Sequence, residues 1–206
     1  MALEATHLRF ALDLLPKLEV KNISDYLAGS IYPDSRYTTG IHRNLTHKEL
    51  APNNPFDKDL TDFQKGWATH IYYDEHGLPK YKQLSPWPDQ HVSGFGDLWV
   101  FITAEKLIED LRSYEFIKNQ SAIIQNIQTP EPPNNEDPRL LEKYFQENKL
   151  LYSKPPNFQG YNSQFKSLGL DDDLINKVIH KTKEFQADPE MLNEINNIYD
   201  QVMIKI

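Results

Sequence analysis

The chain has no cysteine among its 206 residues. It therefore cannot form disulfides, and any transition metal that it binds must be held without thiolate ligands. Histidine, aspartate and glutamate are the residues that can supply the remaining nitrogen and oxygen ligands. The chain contains 7 histidines and 30 acidic residues, so only their spacing can indicate which of them form a site.

The chain also lacks a long apolar run and an excess of positive charge. No stretch approaches the ~18 consecutive apolar residues of a membrane span, and the N-terminal MALEATHLRF does not have the pattern of a secretory signal. These absences predict a cytoplasmic protein without a membrane span. The net charge of −8 offers no basic face that would neutralise phosphates, so nucleic acid is not expected as a stable partner.

Helical periodicity dominates the sequence, and no segment alternates with the period of two that is typical of strands. We therefore predict an all-α fold, a single compact domain of several helices. Residues 1–128 are expected to form a metal-binding helical core, 129–138 a polar proline-rich connection, and 139–206 C-terminal helices that pack on the core. The three prolines and three glycines of residues 77–97 predict a long irregular loop there, and residues 34–59 are predicted to form another.

The stretch DFQKGWATHIYYDE, residues 62–75, places polar residues on an apolar helix face. In a helix, Phe63, Trp67 and Ile71 form one stripe that should face the core. His70 and Asp74 lie on the same stripe, one turn apart. A buried carboxylate is costly unless it is paired or bound to a metal, and a pair at this spacing directs two ligands at one ion. A structural hydrogen bond between the two side chains is the alternative.

Three earlier residues extend this pair into a candidate metal-binding set. His7 lies on the apolar stripe of the first helix, Asp34 directly follows the second helix, and His47 lies in the predicted loop after it. With His70 and Asp74 they form a set suited to Zn²⁺, with Mn²⁺ and Fe²⁺ as alternatives. Taken alone, His7 also fits a core histidine bonded to backbone, Asp34 a turn residue, and His47 a solvent-exposed position.

The order of these residues along the chain carries a family resemblance. His7 is followed by AGSIYPD ending at Asp34, LTH ending at His47, and FQKGWATHIYYD with His70 and Asp74. This order resembles the zinc-dependent phospholipase C family, whose members have a histidine in the first helix and phrases of the form G-S-I-x-P-D, S-H-F and G-x-x-x-H-x-x-x-D. The resemblance covers about residues 5–76.

The resemblance implies an all-α phosphoesterase with a cluster of up to three metal ions. It implies that Asp34, His47, His70 and Asp74 hold the first ion and that His7 binds a second. It further implies that Asp34 orients or deprotonates the attacking water.

The chain departs from the family pattern in two places. The secreted members begin with a tryptophan whose amine binds metal, whereas Met1 lies six residues before His7 here. No His-x-x-x-Glu pair follows the helix before His180, and His91, Glu105 and Glu109 are only candidate substitutes for it. We therefore expect one or two ions rather than three.

The resulting hypothesis is a hydrolase in which one or two divalent ions activate water against a small phosphoester. His42, Arg43 and His76 are candidates to bind the substrate, and a solvated surface position is the alternative for them. An HD-type phosphohydrolase is a second hypothesis, disfavoured because the chain has no adjacent His-Asp dipeptide. A third is a non-catalytic helical binding protein with a structural metal.

Overall fold

Helices form the regular structure of the computed structural model, which describes residues 3–48, 51–92 and 94–206. Of the described chain 71% is helical and none of it is strand, which confirms the all-α prediction. The α-helices are α1 Glu4–Leu14, α2 Ile23–Ile31, α3 Arg36–Thr39, α4 Arg43–His47, α5 Asp62–Leu84, α6 Asp97–Ile117, α7 Ser121–Gln125, α8 Pro138–Leu151, α9 Phe158–Ser167, α10 Asp172–Ala187 and α11 Pro189–Met203. No helix within these ranges combines the length and apolar character that a membrane crossing requires.

The starts and ends of the helices that matter here follow local chemistry. α1 ends at Leu14, two residues before Pro16. α2 begins after Asn22, whose side chain accepts a hydrogen bond from the backbone N–H of Asp25. α5 begins with a capping box, in which Thr61 and Gln64 each accept a hydrogen bond from the other's backbone N–H. These caps satisfy backbone groups that a helix end leaves unpaired.

The irregular connection before α6 is shorter than the predicted loop at residues 77–97. α5 continues through Pro79 to Leu84, so the irregular part is residues 85–96, of which Ser93 lies outside the described residues. A proline inside a helix costs about 3 kcal/mol. The last turns of α5 offset this cost by burying Tyr81, whose hydroxyl donates to Glu109 on α6.

The predicted loop at residues 34–59 also contains helical structure. Asp34 lies in a 3-10 turn, Tyr32–Ser35, and α3 and α4 follow it. His47 is therefore the last residue of a short helix rather than a loop residue. The indole N–H of Trp67 on α5 donates to the carbonyl of Thr46 over 2.7 Å, so α4 is held against α5 by a contact that local sequence patterns do not reveal.

α2 and α5 run side by side with their backbones in contact at two glycines. A Cβ atom added to Gly66 would lie 1.8 Å from the carbonyl oxygen of Tyr26, and one added to Gly29 would lie 2.0 Å from that of Phe63. Only glycine permits this approach. One turn beyond Gly66 on α5, Nδ1 of His70 lies 2.9 Å from the carbonyl oxygen of Ser30 on α2.

The C-terminal helices are tied to the start of α1 through a buried carboxylate. Asp110 on α6 accepts hydrogen bonds from the backbone N–H of Thr6, over 3.2 Å, and from the hydroxyls of Tyr152 and Tyr161, over 2.8 and 2.7 Å. Burial raises the pKa of Asp110 to about 6. The helix that carries His7 is therefore positioned partly by residues from the last third of the chain.

The predicted connection 129–138 lies between α7 and α8 and packs onto the turn that contains Asp34. The side-chain amide of Asn134 donates to the hydroxyl of Tyr32 over 2.7 Å, and its backbone N–H donates to Glu136 over 2.8 Å. Glu136 is itself buried. This segment is therefore part of the packed structure.

Candidate metal centre

The structure brings together the five residues predicted as metal ligands, at the point where α1, α4 and α5 meet the turn after α2. Nε2 of His7 lies 3.7 Å from Oδ1 of Asp74. Nε2 of His47 lies 3.6 Å from Oδ2 of Asp74 and 3.8 Å from Oδ1 of Asp34. Nε2 of His70 lies 3.7 Å and 3.9 Å from the same two oxygens. All five side chains are buried.

These separations suit ligands around an ion better than hydrogen bonds. An N–H···O bond joins atoms 2.7–3.2 Å apart. Two atoms that each lie about 2.0–2.2 Å from a tetrahedral ion are about 3.3–3.6 Å apart, so a slight contraction would bring these ligands to bonding distance. Within the described residues, two groups of three have ligand atoms within 4.8 Å of one another: His7, His70 and Asp74, and Asp34, His47 and His70.

Several of the converging atoms have no hydrogen-bond partner in the described structure. They are Nε2 of His7, His47 and His70 and Oδ1 of Asp34, and all of them are buried. Buried polar atoms are nearly always paired. Unpaired nitrogen and oxygen atoms that converge from separate segments of the chain indicate a site for a positively charged ligand.

Asp34 does lie in a turn, but the structural alternatives for His7, His47 and the pair of His70 and Asp74 do not describe this arrangement. Neither ring nitrogen of His7 has a hydrogen-bond partner among the described residues, so it is not a core histidine bonded to backbone. His47 is only 8% exposed. His70 and Asp74 are 3.7 Å apart, which is too far for a hydrogen bond.

Neighbouring groups orient two of the imidazoles with Nε2 toward the centre. A carbonyl can only accept a hydrogen bond, so Nδ1 of His70 must donate to Ser30 over 2.9 Å. Nδ1 of His47 lies 2.7 Å from the hydroxyl of Thr46, which itself donates to the carbonyl of Arg43. In both rings Nδ1 carries the proton and Nε2 keeps its lone pair, the arrangement that outer hydrogen bonds impose on histidines that bind metals.

The ionisation of the cluster also matches the form that binds metal. Burial and the neighbouring His70 lower the pKa of His7 well below its usual 6.5, and burial lowers the pKa of His47. Burial alone would raise the pKa of Asp74, but nearby positive charge and the surrounding imidazoles hold it well below its ordinary value. Neutral imidazoles and an ionised carboxylate are the required ligands.

No hydrogen bond or ion pair among the described residues joins the three predicted substrate-binding residues to the candidate ligands, so their role stays a prediction. His42 is exposed, and its Nδ1 accepts a hydrogen bond from the backbone N–H of Asn44 at the start of α4. Arg43 is also exposed. His76 is two residues beyond Asp74, which places it on the other side of α5, where its ring stacks on that of Tyr72 with centroids 4.2 Å apart.

A cavity of about 90 Å³ lies beside the cluster, and Asp34 belongs to both. Its other polar lining includes Glu4, Tyr37, Thr103 and Lys106, and its apolar lining includes Phe95, Trp99, Leu168 and Leu170. None of the four polar residues was named in the sequence-based site. Glu4 carried a usable sequence signal, because it lies one turn before His7, and so did Lys106, because it is a charged residue within the largely apolar stretch of residues 98–108.

The acidic groups that line this cavity beside Asp34 hold their protons at neutral pH. Burial raises the pKa of Glu4 to about 8, and the nearby charges of Asp34 and Asp110 add to the shift. Burial and the charge of Asp34 raise the pKa of Tyr37 above its ordinary value. Tyr37 is therefore a hydrogen-bond donor at pH 7, next to Asp34.

No family model, no curated protein and no solved structure matches the chain. The resemblance to the zinc-dependent phospholipase C family therefore remains a prediction from four short motifs. What can be stated of the chain is an all-α fold with two buried groups of histidine and aspartate that can hold a metal ion.

Proposed function

We propose that the protein is a metal-dependent hydrolase of phosphoesters, with chemistry similar to that of the zinc-dependent phospholipase C family. One observation carries the proposal: buried ligand atoms from five side chains converge beside a cavity that Asp34 also lines. Metal-binding residues that open onto a cavity of this kind are typical of catalytic rather than structural sites.

The ligand set divides between two positions. Asp34, His47 and His70, with Oδ2 of Asp74, would hold one ion, while His7 and Oδ1 of Asp74 would contribute to a second. Nitrogen and carboxylate oxygen ligands suit Zn²⁺, and Mn²⁺ or Fe²⁺ are alternatives. A divalent ion lowers the pKa of a bound water and offsets negative charge on phosphoryl oxygens.

The chain's own residues supply the remaining steps. Asp34 presents a carboxylate at the boundary between the ligand set and the cavity, where it can orient the attacking water and accept its proton. Tyr37 lines the cavity beside Asp34, where it can contact the substrate. Phe95 and Trp99 form an apolar wall on one side of the cavity.

Metal analysis and a substrate screen test the proposal together. Purified protein should contain about one to two ions per chain, going by the ligand count, and should hydrolyse at least one member of a panel of phosphomonoesters and phosphodiesters. Asp34→Asn should abolish the hydrolysis, whereas Asp25→Asn, at an exposed position on α2, should leave it unchanged.

Two results would count against the proposal in different ways. Folded protein that contains no metal and cannot be loaded with it would refute the metal centre itself. Protein that binds metal tightly and melts earlier with chelator, but hydrolyses nothing in the panel, would favour the hypothesis of a helical binding protein with a structural metal.

A further inference from the structure

A buried lysine lines the same cavity as Asp34. Lys106 on α6 is only 8% exposed, and it forms no hydrogen bond or ion pair with any described residue. Its Nζ lies 5.4 Å from the centroid of the Tyr81 ring. Lys65 is buried to the same extent, but its Nζ donates to the carbonyl of Glu19 over 2.6 Å.

No carboxylate of a described residue forms an ion pair with Lys106. Burial raises the pKa of Glu105 to about 9, although the charge of Lys106 opposes the shift. Burial likewise raises the pKa of Glu4, across the cavity, to about 8. Asp34 belongs to the candidate ligand set. Lys106 therefore places an ammonium group at the cavity wall with no described carboxylate paired to it, and an anionic ligand would supply the missing partner.

We propose that Lys106 binds a phosphoryl oxygen of the substrate and is the residue that selects an anionic group in this cavity. The proposal rests on the proposed function, because it concerns the same site. One water needs about 10–15 Å³ of such space, so a cavity of about 90 Å³ has room for a group larger than one water, such as a phosphoryl group. Bound there, the phosphoryl group would lie between the ammonium and the ligand set.

Phosphate binding measures this role without relying on catalysis. Inorganic phosphate is titrated into zinc-loaded protein and followed by calorimetry, for the wild type and for Lys106→Met, Lys106→Arg and Lys65→Met. Lys106→Met should weaken binding by about 10- to 100-fold, the loss expected for a charge-assisted hydrogen bond. Lys106→Arg should keep most of the affinity because it keeps the charge. Lys65→Met should bind phosphate as the wild type does.

A hydrolysed ester from the screen gives a second measurement. Lys106→Met should raise KM by a similar factor while kcat and the metal content change less, as expected for a residue that positions substrate. Lys106→Gln is the neutral variant to use if the methionine variant does not fold. A purely structural role, through the contact with Tyr81, would lower the melting temperature of both neutral variants and leave KM unchanged.

The outcomes separate this proposal from the proposed function. Equal phosphate affinity in wild type and Lys106→Met overturns the role of Lys106, as does a wild type that binds no phosphate. Hydrolysis with an unchanged KM in Lys106→Met also overturns it, while the hydrolase proposal stands. Phosphate binding that depends on Lys106, in a protein that hydrolyses no ester, supports the anion site and counts against the hydrolase.

Discussion

Asp74 is the residue whose replacement best separates a metal ligand from a structural partner. Its two carboxylate oxygens lie 3.6–3.7 Å from the Nε2 atoms of His7, His47 and His70. Asp74→Asn keeps the shape of the side chain but removes the charge that balances an ion. Loss of an outer-shell partner of a metal ligand typically lowers affinity by about 10- to 100-fold, so loss of a ligand should lower it at least as much.

The expected change in stability follows from mass action. At a free ion concentration of about 100 times Kd, binding adds about 2.7 kcal/mol to the free energy of unfolding of the wild type. A 100-fold loss of affinity leaves about 0.4 kcal/mol at the same concentration. The difference of about 2.3 kcal/mol corresponds to a melting temperature lower by about 5–9 °C for a chain of this size.

Thermal melts with and without a chelator measure this difference. Chelator should lower the melting temperature of the wild type and of Glu75→Gln, an exposed neighbour on α5 that removes the same charge. It should change Asp74→Asn little, because bound metal adds only about 0.4 kcal/mol to the stability of that variant. Chelator could instead leave the melting temperatures of all three proteins unchanged, while Asp74→Asn loses only about 1–3 kcal/mol of stability, the cost of one hydrogen bond. In that case Asp74 is a structural partner and the metal centre is refuted.

Two further predictions concern pH and helix contact. The unfolded chain protonates its histidines below about pH 6.5, whereas the lowered pKa values of folded His7 and His47 keep these two residues neutral there. The free energy of unfolding should therefore decrease as the pH falls below 6.5. The neutral folded imidazoles should still retain metal at pH 6, and metal release with a midpoint at pH 6.5 or above would contradict the lowered values. Gly66→Ala places a Cβ 1.8 Å from a backbone oxygen, so it should cost more than the about 1–3 kcal/mol of ordinary overpacking. Urea unfolding measures the loss against Gly96→Ala, where the added Cβ meets nothing within 4 Å, and equal stability of the two variants would contradict the close contact.

Four of the five candidate ligands could be named from the sequence because each has a local signal, whereas His47 had only its place in LTH. His70 and Asp74 are one turn apart on an apolar stripe, so helical geometry alone places them on one face. His7 is polar on a similar stripe, and Asp34 follows the end of α2. Their convergence in the structure required only that these helices pack through their apolar faces. Their role as metal ligands remains a prediction.

The cavity beside the ligands could not be predicted in the same way. Its lining comes from α1, α3, α6 and α9 and from the connections next to them, and no local pattern indicates which residues of such distant segments meet. The continuation of α5 through Pro79 has a similar cause. Local propensity predicts a break there, and the burial of Tyr81 against α6 outweighs it.

The buried contact at Asp110 makes the order of synthesis matter for this protein. All five candidate ligands precede residue 75, whereas Tyr152 and Tyr161, which bind Asp110, lie far towards the C-terminus. At about 5–20 residues per second, the ribosome completes the ligand set several seconds before it adds Tyr161. During that interval the nascent chain can meet metal ions, but two of the hydrogen bonds that fix Asp110, and with it the start of α1, do not yet exist. The earliest part of the site to be made is thus among the last to be held in place.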